Sequence, residues 1–256
     1  MNAERLTSLK NPRVQAFRSL KERKGRLAHE AFLAEGDRMV SEALASGYPV
    51  EALLLRDDRE IPAGLPEDLP VYLLPDHVFA ALSDTKTPQG ISAAVRLPGP
   101  ESRSAVPGDR LLVLDGVQDP GNVGTMIRTA DAAGLDGILL GPDCADVFSP
   151  KVLRATMGSI FRVGLAFPTD LAGRLRDLRR EGYAVVSSQL DGDPFYDRPP
   201  LGGRWALVIG NEGNGVSAPV REAATHRLRL PMRGGAESLN AAVAAGIMMY
   251  ELTKAD

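Results

Sequence analysis

Polar side chains that could do chemistry are concentrated in three glycine-rich stretches of the second half of the chain. These are residues 114–134 (LDGVQDPGNVGTMIRTADAAG), residues 209–217 (IGNEGNGVS) and residues 230–240 (LPMRGGAESLN). Such stretches are typical of backbone cradles for a small cofactor, because glycine lets the main chain approach a ligand closely. The charges within them that stand out are few, namely Arg128, Glu212, Arg233 and Glu237.

Each stretch also has a purely structural interpretation. Asp119-Pro120-Gly121 is a good turn sequence, and Asn122 can cap the helix that follows it. Arg128 can pair with Asp131 three residues later on a helix surface. Ser238 can be a plain helix cap. Three such stretches, each after an apolar strand, nevertheless favour a shared site over three unrelated turns.

Several common sites are excluded by spacing and composition. The glycines after the first of these strands do not form GxGxxG, and neither GxxxxGK[ST] nor GxSxG occurs. One cysteine, Cys144, excludes an internal disulfide and a multi-cysteine zinc site, and the three histidines lie far apart in the chain. The sequence therefore predicts neither a metal site nor a histidine-based triad serving Ser238.

The elements that must position these stretches alternate between strand and helix. Apolar runs predict six strands: LLVLD (111–115), GILL (137–140), GLAF (164–167), AVVSS (184–188), ALVIG (206–210) and RLRL (227–230). Helical patterns lie between most of them, at 123–133, 149–157 and 171–181. This alternation predicts an α/β fold with a mainly parallel sheet, whose ligands bind at the carboxyl ends of the strands.

A break in composition predicts two domains. Residues 97–109 (LPGPESRSAVPGD) are rich in proline, glycine and small polar residues and are interpreted as a linker. Residues 1–96 predict a small α/β domain with helices at 12–24, 37–46 and 76–83, and strands at 31–35, 51–55, 71–74 and 90–97. Residues 110–256 form the second domain.

Charge is unevenly distributed. The chain carries a formal charge of −3, but residues 1–26 hold eight basic and two acidic residues. This basic segment is either a solvated helix or a surface that attracts phosphate groups. No apolar run is long enough to cross a membrane, which takes about 18 residues, and the N-terminus lacks the apolar core of a signal peptide. A reducing cytoplasm is the expected location.

The three stretches together resemble a known family. PGNVGTMIRTADAAG, IGNEGNGVS and LPMRGGAESLNAAVAAGIMMYE are similar, in order and spacing, to the signature motifs of the SpoU (TrmH-type) RNA ribose 2′-O-methyltransferases of the SPOUT superfamily. The resemblance implies a C-terminal α/β domain with a deep trefoil knot, S-adenosylmethionine as the cofactor, and a homodimer. The first domain resembles the small RNA-binding α/β domain often attached to these enzymes, most clearly at DTKTPQGISAAV.

The resemblance also implies roles for individual residues. Arg128 would contact and activate the ribose 2′-hydroxyl. Asn122 would cap its helix and orient Arg128 or the ribose, and Glu212 would hold Arg128 or bind backbone amides. Ser238 and Asn240 would place the nucleotide or the methyl donor. The donor would lie against Gly210, Leu230, Met232 and Leu239, with Gln189 and Leu190 completing the adenine pocket.

The uncharged C-terminal helix and the RNA contacts complete these expectations. Leu239, Val243, Ile247 and Tyr250 are expected to pack a core, against the knot and a second subunit. Candidate RNA contacts are Lys86, Arg154, Arg13 and Lys21. The expected substrate is structured RNA, most favourably 23S rRNA of the large subunit. The alternatives are a tRNA 2′-O-methyltransferase, an antibiotic-resistance rRNA methyltransferase and a non-catalytic RNA-binding factor.

Overall fold

The structure is a computed structural model that describes residues 3–99 and 108–254. Most of the predicted linker therefore lies outside the described residues. The chain divides into two compact units. Unit 1 comprises Met1–Pro98 and Asp146–Phe161, and unit 2 comprises Gly99–Ala145 and Arg162–Asp256.

The helices and strands of the described residues follow one another along the whole chain. The strands are β1 (Ala3–Arg5), β2 (Ala31–Glu35), β3 (Val50–Arg56), β4 (Val71–Leu74), β5 (Ile91–Arg96), β6 (Arg110–Asp115), β7 (Gly137–Leu140), β8 (Gly164–Ala166), β9 (Ala184–Pro194), β10 (Trp205–Gly210) and β11 (His226–Arg229). The α-helices are α1 (Pro12–Ser19), α2 (Arg23–His29), α3 (Asp37–Ala45), α4 (Asp76–Leu82), α5 (Pro120–Ala132), α6 (Pro150–Thr156), α7 (Leu171–Arg180), α8 (Ala218–Ala223) and α9 (Ala241–Thr253).

Unit 2 is built on a six-stranded sheet in the order β11-β9-β10-β6-β7-β8. Every pairing in it is parallel. Its central strands are almost wholly apolar, and Leu111 to Leu114 are fully buried, as expected when a parallel sheet is covered on both faces. The predicted parallel sheet is confirmed. Because β9, β10 and β6 are neighbours, the segments that follow them begin at one edge of the sheet.

Unit 1 contains a mixed five-stranded sheet in the order β1-β4-β3-β5-β2. β4 pairs in parallel with β1 and β3, whereas β5 runs antiparallel to β2 and β3. The predicted helix at 12–24 is wrong in one respect, because two helices, α1 and α2, occupy this region. They cross so closely that a Cβ on Gly25 would lie 2.0 Å from the carbonyl oxygen of Ser19. Only glycine fits there.

The segment between β7 and β8 packs into unit 1, although its sequence lies inside the second predicted domain. Phe148 and Phe161 lie against Phe32 of β2, with ring centroids 4.9 Å and 6.1 Å away. The buried guanidinium of Arg26 donates to Asp146 at 2.6 Å. The segment therefore shares the core of unit 1.

The C-terminal helix α9 packs against α5 and β10. Its buried side chains are Ala242, Ala245, Met248, Met249 and Leu252. Within the single chain the side chains of Leu239, Val243, Ile247 and Tyr250 are 36–51% exposed, so their expected packing against a second subunit stays a prediction. Val243, Ile247 and Tyr250 follow one another at intervals of three or four residues and so share one face of the helix, while Leu239 lies just before the N-cap Asn240. We call this face the apolar stripe.

No helix in the described ranges combines the length and the apolar character needed to cross a membrane.

Candidate active site

Glu212 joins the loop after β10 to the loop after β6. Its carboxylate accepts hydrogen bonds from the backbone N–H groups of Gln118 (3.2 Å) and Asp119 (3.1 Å) and from Nδ2 of Asn122 (2.9 Å). The sequence left open whether Glu212 holds Arg128 or neighbouring amides. Within this chain it binds amides.

These hydrogen bonds also set the ionisation of Glu212. Partial burial alone would raise the pKa of its carboxyl, but the hydrogen bond from Asn122 and those from backbone amides outweigh it and lower the pKa below the ordinary value. Hydrogen bonds that stabilise the charged form of a carboxyl act in this direction. Glu212 is therefore a carboxylate at neutral pH.

Asn122 also contacts the third loop. Its Oδ1 accepts from Nδ2 of Asn240 at 2.9 Å, so its side-chain amide bridges Glu212 and Asn240. The prediction that Asn122 caps its helix is wrong. Asp119 is the cap, and its Oδ1 accepts from the N–H of Asn122 at 2.8 Å. The amide of Asn122 is thereby left for the bridge.

Asn240 is the N-cap of α9. Its Oδ1 accepts from the N–H groups of Ala242 (2.9 Å) and Val243 (3.3 Å), while its Nδ2 donates to Asn122. Ser238, two residues earlier, is exposed, is not the cap, and forms no hydrogen bond with the described residues. One side chain thus both starts the helix and closes the network of Glu212, Asn122 and Asn240, which we call the amide network.

A cleft of about 530 Å³ opens beside this network. The four predicted donor-binding residues all line it, together with the two assigned to the adenine pocket and three of the predicted catalytic residues. They are Gly210, Leu230, Met232, Leu239, Gln189, Leu190, Glu212, Ser238 and Asn240. The second and third polar stretches therefore line one concave surface, and the first, which follows β6, reaches it through the hydrogen bonds of Asn122 with Glu212 and Asn240.

Arg128 lies apart from the residues that line this cleft. It is exposed and forms no hydrogen bond or ion pair with any described residue. The alternative pairing with Asp131 does not occur, because Asp131 accepts from Arg162 at 2.7 Å and 3.0 Å. Arg128 also follows Asn122 by six residues, about 9 Å along α5 and roughly 120° around it. The two side chains therefore point in different directions.

The backbone around the cleft is closely fitted. A Cβ on Gly210 would lie 2.2 Å from the carbonyl carbon of Gly215 and from the nitrogen of Val216. Asn211 closes this turn, since its Oδ1 accepts from the N–H groups of Gly213 and Asn214, both at 3.0 Å. Its Nδ2 donates to the carbonyl of Gly116 at 2.8 Å. Gly210 is required by the turn itself, in addition to lining the cleft.

Comparison with known proteins fits this geometry. The family model for the SpoU rRNA Methylase family matches residues 109–250, more than half of the chain. The chain belongs to the SpoU rRNA methylase family. Residues 11–93 match a second model, the MRM3-like substrate binding domain.

Named SpoU relatives match over almost their full length. The 23S rRNA (guanosine(2553)-2′-O)-methyltransferase RlmP of Bacillus subtilis is 40% identical, covering 97% of this chain and 99% of its own. The 23S rRNA (uridine(2479)-2′-O)-methyltransferase of Streptomyces viridochromogenes is 33% identical, covering 98% and 92%. A structure of AdoMet-bound rRNA methyltransferase from Sinorhizobium meliloti has a TM-score of 0.88 and 32% identity, with 98% of each chain covered.

Two polar atoms in this SpoU site suit a bound nucleoside. Oε1 of Gln189 is buried and has no hydrogen-bond partner among the described residues, while Nε2 donates to the fully buried Ser187 at 2.7 Å. Nε of Arg221 is likewise buried and unpartnered within the described part of the chain. Both residues line the cleft. Buried polar atoms are ordinarily paired, so these two fit a ligand that brings its own donors and acceptors.

Sequence reasoning missed several residues of the site. Asp119, Asn211 and Arg221 were assigned no part in it. Asn211 carried a usable signal, because an asparagine directly after a strand, with glycines at 213 and 215, is typical of a side chain that closes its own turn. Arg221 had none, since its place at the cleft depends on where the short helix α8 packs.

The predicted RNA contacts are distributed differently from the expectation. Three of the four are engaged within unit 1: Arg13 pairs with Glu4, Nζ of Lys21 donates to the carbonyl of Ser83 at 2.7 Å, and Arg154 pairs with Asp84 at 2.6 Å. Lys86 is exposed and has no partner among the described residues. Lys86 is therefore the most available of the four for binding phosphate.

Proposed function

We propose that this SpoU protein transfers a methyl group from S-adenosylmethionine to a ribose 2′-hydroxyl of 23S rRNA. The observation that carries the proposal is the amide network of Glu212, Asn122 and Asn240, at the mouth of a cleft of about 530 Å³. The names of the relatives support the same reaction and the same RNA class.

The cleft fits the methyl donor in shape and chemistry. Leu230, Met232 and Leu239 offer apolar contacts, and the free Oε1 of Gln189 suits an exocyclic amino group of a purine. The bound donor supplies an electrophilic methyl group on a sulfonium. The protein's task is then to exclude water and to hold the nucleotide within reach in a defined orientation.

Arg128 is proposed to act on the nucleophile. A ribose hydroxyl is weakly nucleophilic at neutral pH, and a guanidinium can polarise it and the neighbouring phosphate with its planar fork. Arginine does not act as the base, because a guanidinium stays protonated in proteins. The hydroxyl proton passes to phosphate or water. Because the guanidinium of Arg128 has no partner among the residues that the structure describes, it is available for this contact.

A second copy of the chain is proposed to complete the site. The apolar stripe runs along α9 from Val243 to Tyr250, and the exposed Leu239, which lines the cleft, precedes it in the chain. Arg128 borders it, because its neighbour Thr129 lies against Gly246 of α9. A homodimer packed on this stripe would bury the exposed side chains and bring Arg128 towards the partner's cleft. This arrangement accounts for the distance between Arg128 and the cleft of its own chain.

The trefoil knot and the cytoplasmic location remain proposals that follow from family membership. The knot is supported by the convergence on the cleft of the segments after β9, after β10 and before α9.

The test is methyl transfer from a labelled donor to deproteinised 23S rRNA from cells that lack the protein. The expected product is a single 2′-O-methylated nucleotide, located by alkaline hydrolysis or primer extension. Label in tRNA alone would reassign the substrate. Donor binding by calorimetry without methylation of any RNA would favour a non-catalytic factor and overturn the proposal.

A further inference from the structure

We infer that Ser83–Gly90 of unit 1 is a preorganised RNA-contacting loop that presents Lys86, and that Glu35 is its positioning residue. This inference rests on the proposed function, since it names the element that binds the same RNA. We call Ser83–Gly90 (SDTKTPQG) the recognition loop. It connects α4 to β5.

Glu35 holds the first half of the recognition loop. Its carboxylate accepts hydrogen bonds from the hydroxyl of Ser83, from the N–H of Asp84 at 3.1 Å and from the hydroxyl of Thr85 at 2.8 Å. Glu35 is the last residue of β2 and is half-buried. One charged side chain thus fixes three consecutive residues of the loop to the sheet.

Gln89 holds the second half. Its Oε1 accepts from the N–H of Asp37 at 2.8 Å and thereby caps α3, whose own N-cap residue, Gly36, has no side chain to do so. Gly36 has φ +97°, and a Cβ there would lie 2.7 Å from Oε1 of Gln89. Arg59 also donates to the carbonyl of Gln89 at 2.9 Å. The hydrogen bond between Gln89 and Asp37 therefore holds the recognition loop and the turn after β2 in a fixed position relative to each other.

Two basic residues expected to bind RNA instead hold this loop. Lys21 donates to the carbonyl of Ser83, and Arg154 pairs with Asp84. Lys21 and Arg154 thus add to the contacts that hold the first end of the loop, and Gln89 holds the second end. Lys86 and Thr87 at the tip are exposed and form no hydrogen bond with any described residue. Such fastening lowers the entropy lost when the tip binds a ligand.

The exposed cation at the tip points to a phosphate of the RNA as its ligand. Other basic side chains of unit 1 are also exposed and have no partner in the described ranges, namely Lys10, Arg18, Arg23, Lys24, Arg38 and Lys151. They supply long-range attraction to RNA, which is not directional. Lys86 differs from them because it stands at the tip of a loop whose two halves are fastened by Glu35 and Gln89.

The experiment measures KM for deproteinised 23S rRNA, kcat and donor affinity in four variants. Lys86→Ala removes the tip charge and Lys86→Arg retains it. Glu35→Gln removes the carboxylate that fastens the loop. Glu67→Gln is the matched control, an exposed glutamate of unit 1 with no partner among the described residues.

Lys86→Ala and Glu35→Gln are each expected to raise KM for RNA about fivefold to tenfold, the scale of one ordinary, solvent-exposed hydrogen bond. Values of kcat at saturating RNA and of donor Kd should stay near wild type, and Lys86→Arg should restore most of the affinity. The double variant Lys86→Ala/Glu35→Gln should be little worse than either single variant, because a loosened loop no longer presents Lys86.

An unchanged KM in Lys86→Ala overturns the inference, and this variant sits at an exposed tip where it does not disturb folding. Fully additive effects would show that Glu35 acts separately from Lys86. A rise in KM seen only with intact large ribosomal subunits would assign the loop to a ribosomal protein instead. If wild-type protein methylates no RNA, the proposed function fails. If it does so with KM unmoved by Lys86→Ala, the present inference alone fails.

Discussion

Nδ2 of Asn240 lies 2.9 Å from Oδ1 of Asn122, and these atoms join two segments 118 residues apart in the sequence. The same Asn240 starts α9, and the same Asn122 donates to Glu212. The two amides therefore hold the mouth of the cleft, the start of the C-terminal helix and the loop after β10 in one fixed arrangement.

Disrupting this pair should reduce both activity and stability in a coupled way. Asn122→Ala and Asn240→Ala are each expected to lower kcat, because each frees one wall of the cleft. The double variant should lose less than the sum, with a coupling of about 0.5–3 kcal/mol in a double-mutant cycle on unfolding free energy. Strictly additive effects would mean that the hydrogen bond contributes nothing.

Arg128→Ala should retain donor binding but lose at least about 100-fold in kcat, the scale of assistance to proton removal. Arg128→Lys should recover little, because a lysine lacks the planar fork. Arg179→Ala is the control, an exposed arginine of α7 with no side-chain partner among the described residues. Single-turnover rates and calorimetry separate the two effects. Near wild-type turnover in Arg128→Ala would exclude it from the reaction.

A complementation assay tests whether Arg128 serves the partner's cleft. Arg128→Ala is mixed under subunit exchange with Ala244→Trp, which fills the cleft that Ala244 lines. Each variant alone should be inactive. Mixed dimers should regain activity, because one intact cleft then faces one intact Arg128. Continued inactivity, with exchange verified by mass, would place Arg128 and its cleft in the same chain.

Charge placed on the apolar stripe should separate the subunits. Ile247→Arg is expected to give a monomer in analytical ultracentrifugation while the wild type sediments as a dimer, because a buried unpaired charge is costly. Ile61→Arg, at a 40% exposed position in unit 1, is the control and should leave the mass unchanged. A wild-type protein that is monomeric at all concentrations would contradict the proposed dimer.

The fitted turn at Gly210 gives a further prediction. Gly210→Ala should lower the free energy of unfolding by about 1–3 kcal/mol and weaken donor binding, since the added carbon meets backbone that cannot move aside. Gly213→Ala, three residues later, has only Oδ1 of Asn211 within 4 Å of the new carbon, at 3.6 Å, and should be nearly neutral. Thermal melts with and without S-adenosylmethionine measure both quantities. Equal effects at the two positions would refute the packing argument.

The parallel sheet could be predicted because its strands are short, apolar and separated by helical patterns. Runs such as LLVLD and ALVIG are buried on both sides and carry no competing signal. The convergence of the three polar loops then follows from strand order, which the sequence suggests but does not fix. The position of Leu230, Met232 and Leu239 in the cleft could be predicted because all three belong to the third motif that resembles the family.

The features that the sequence did not predict depend on contacts between residues far apart in the chain. The local sequence does not determine which residue caps α5, because Asp119 and Asn122 are both favourable N-cap residues and stand three residues apart. The pairing of Arg13 with Glu4 depends on β1 joining β4, and three residues carry little strand signal. The sequence predicted that the uncharged helix needs cover on most sides, but not which of its side chains would be left exposed in the single chain.

The packing of residues 146–161 into unit 1 has a consequence for chimeric proteins. An exchange of residues 1–98 with those of another protein would replace Phe32 and Tyr48 while leaving Phe148 and Phe161 behind, so aromatic surfaces that fit each other would be mismatched. Transfer of unit 1 to another protein therefore requires two separate segments of the gene, residues 1–98 and 146–161, to be moved together.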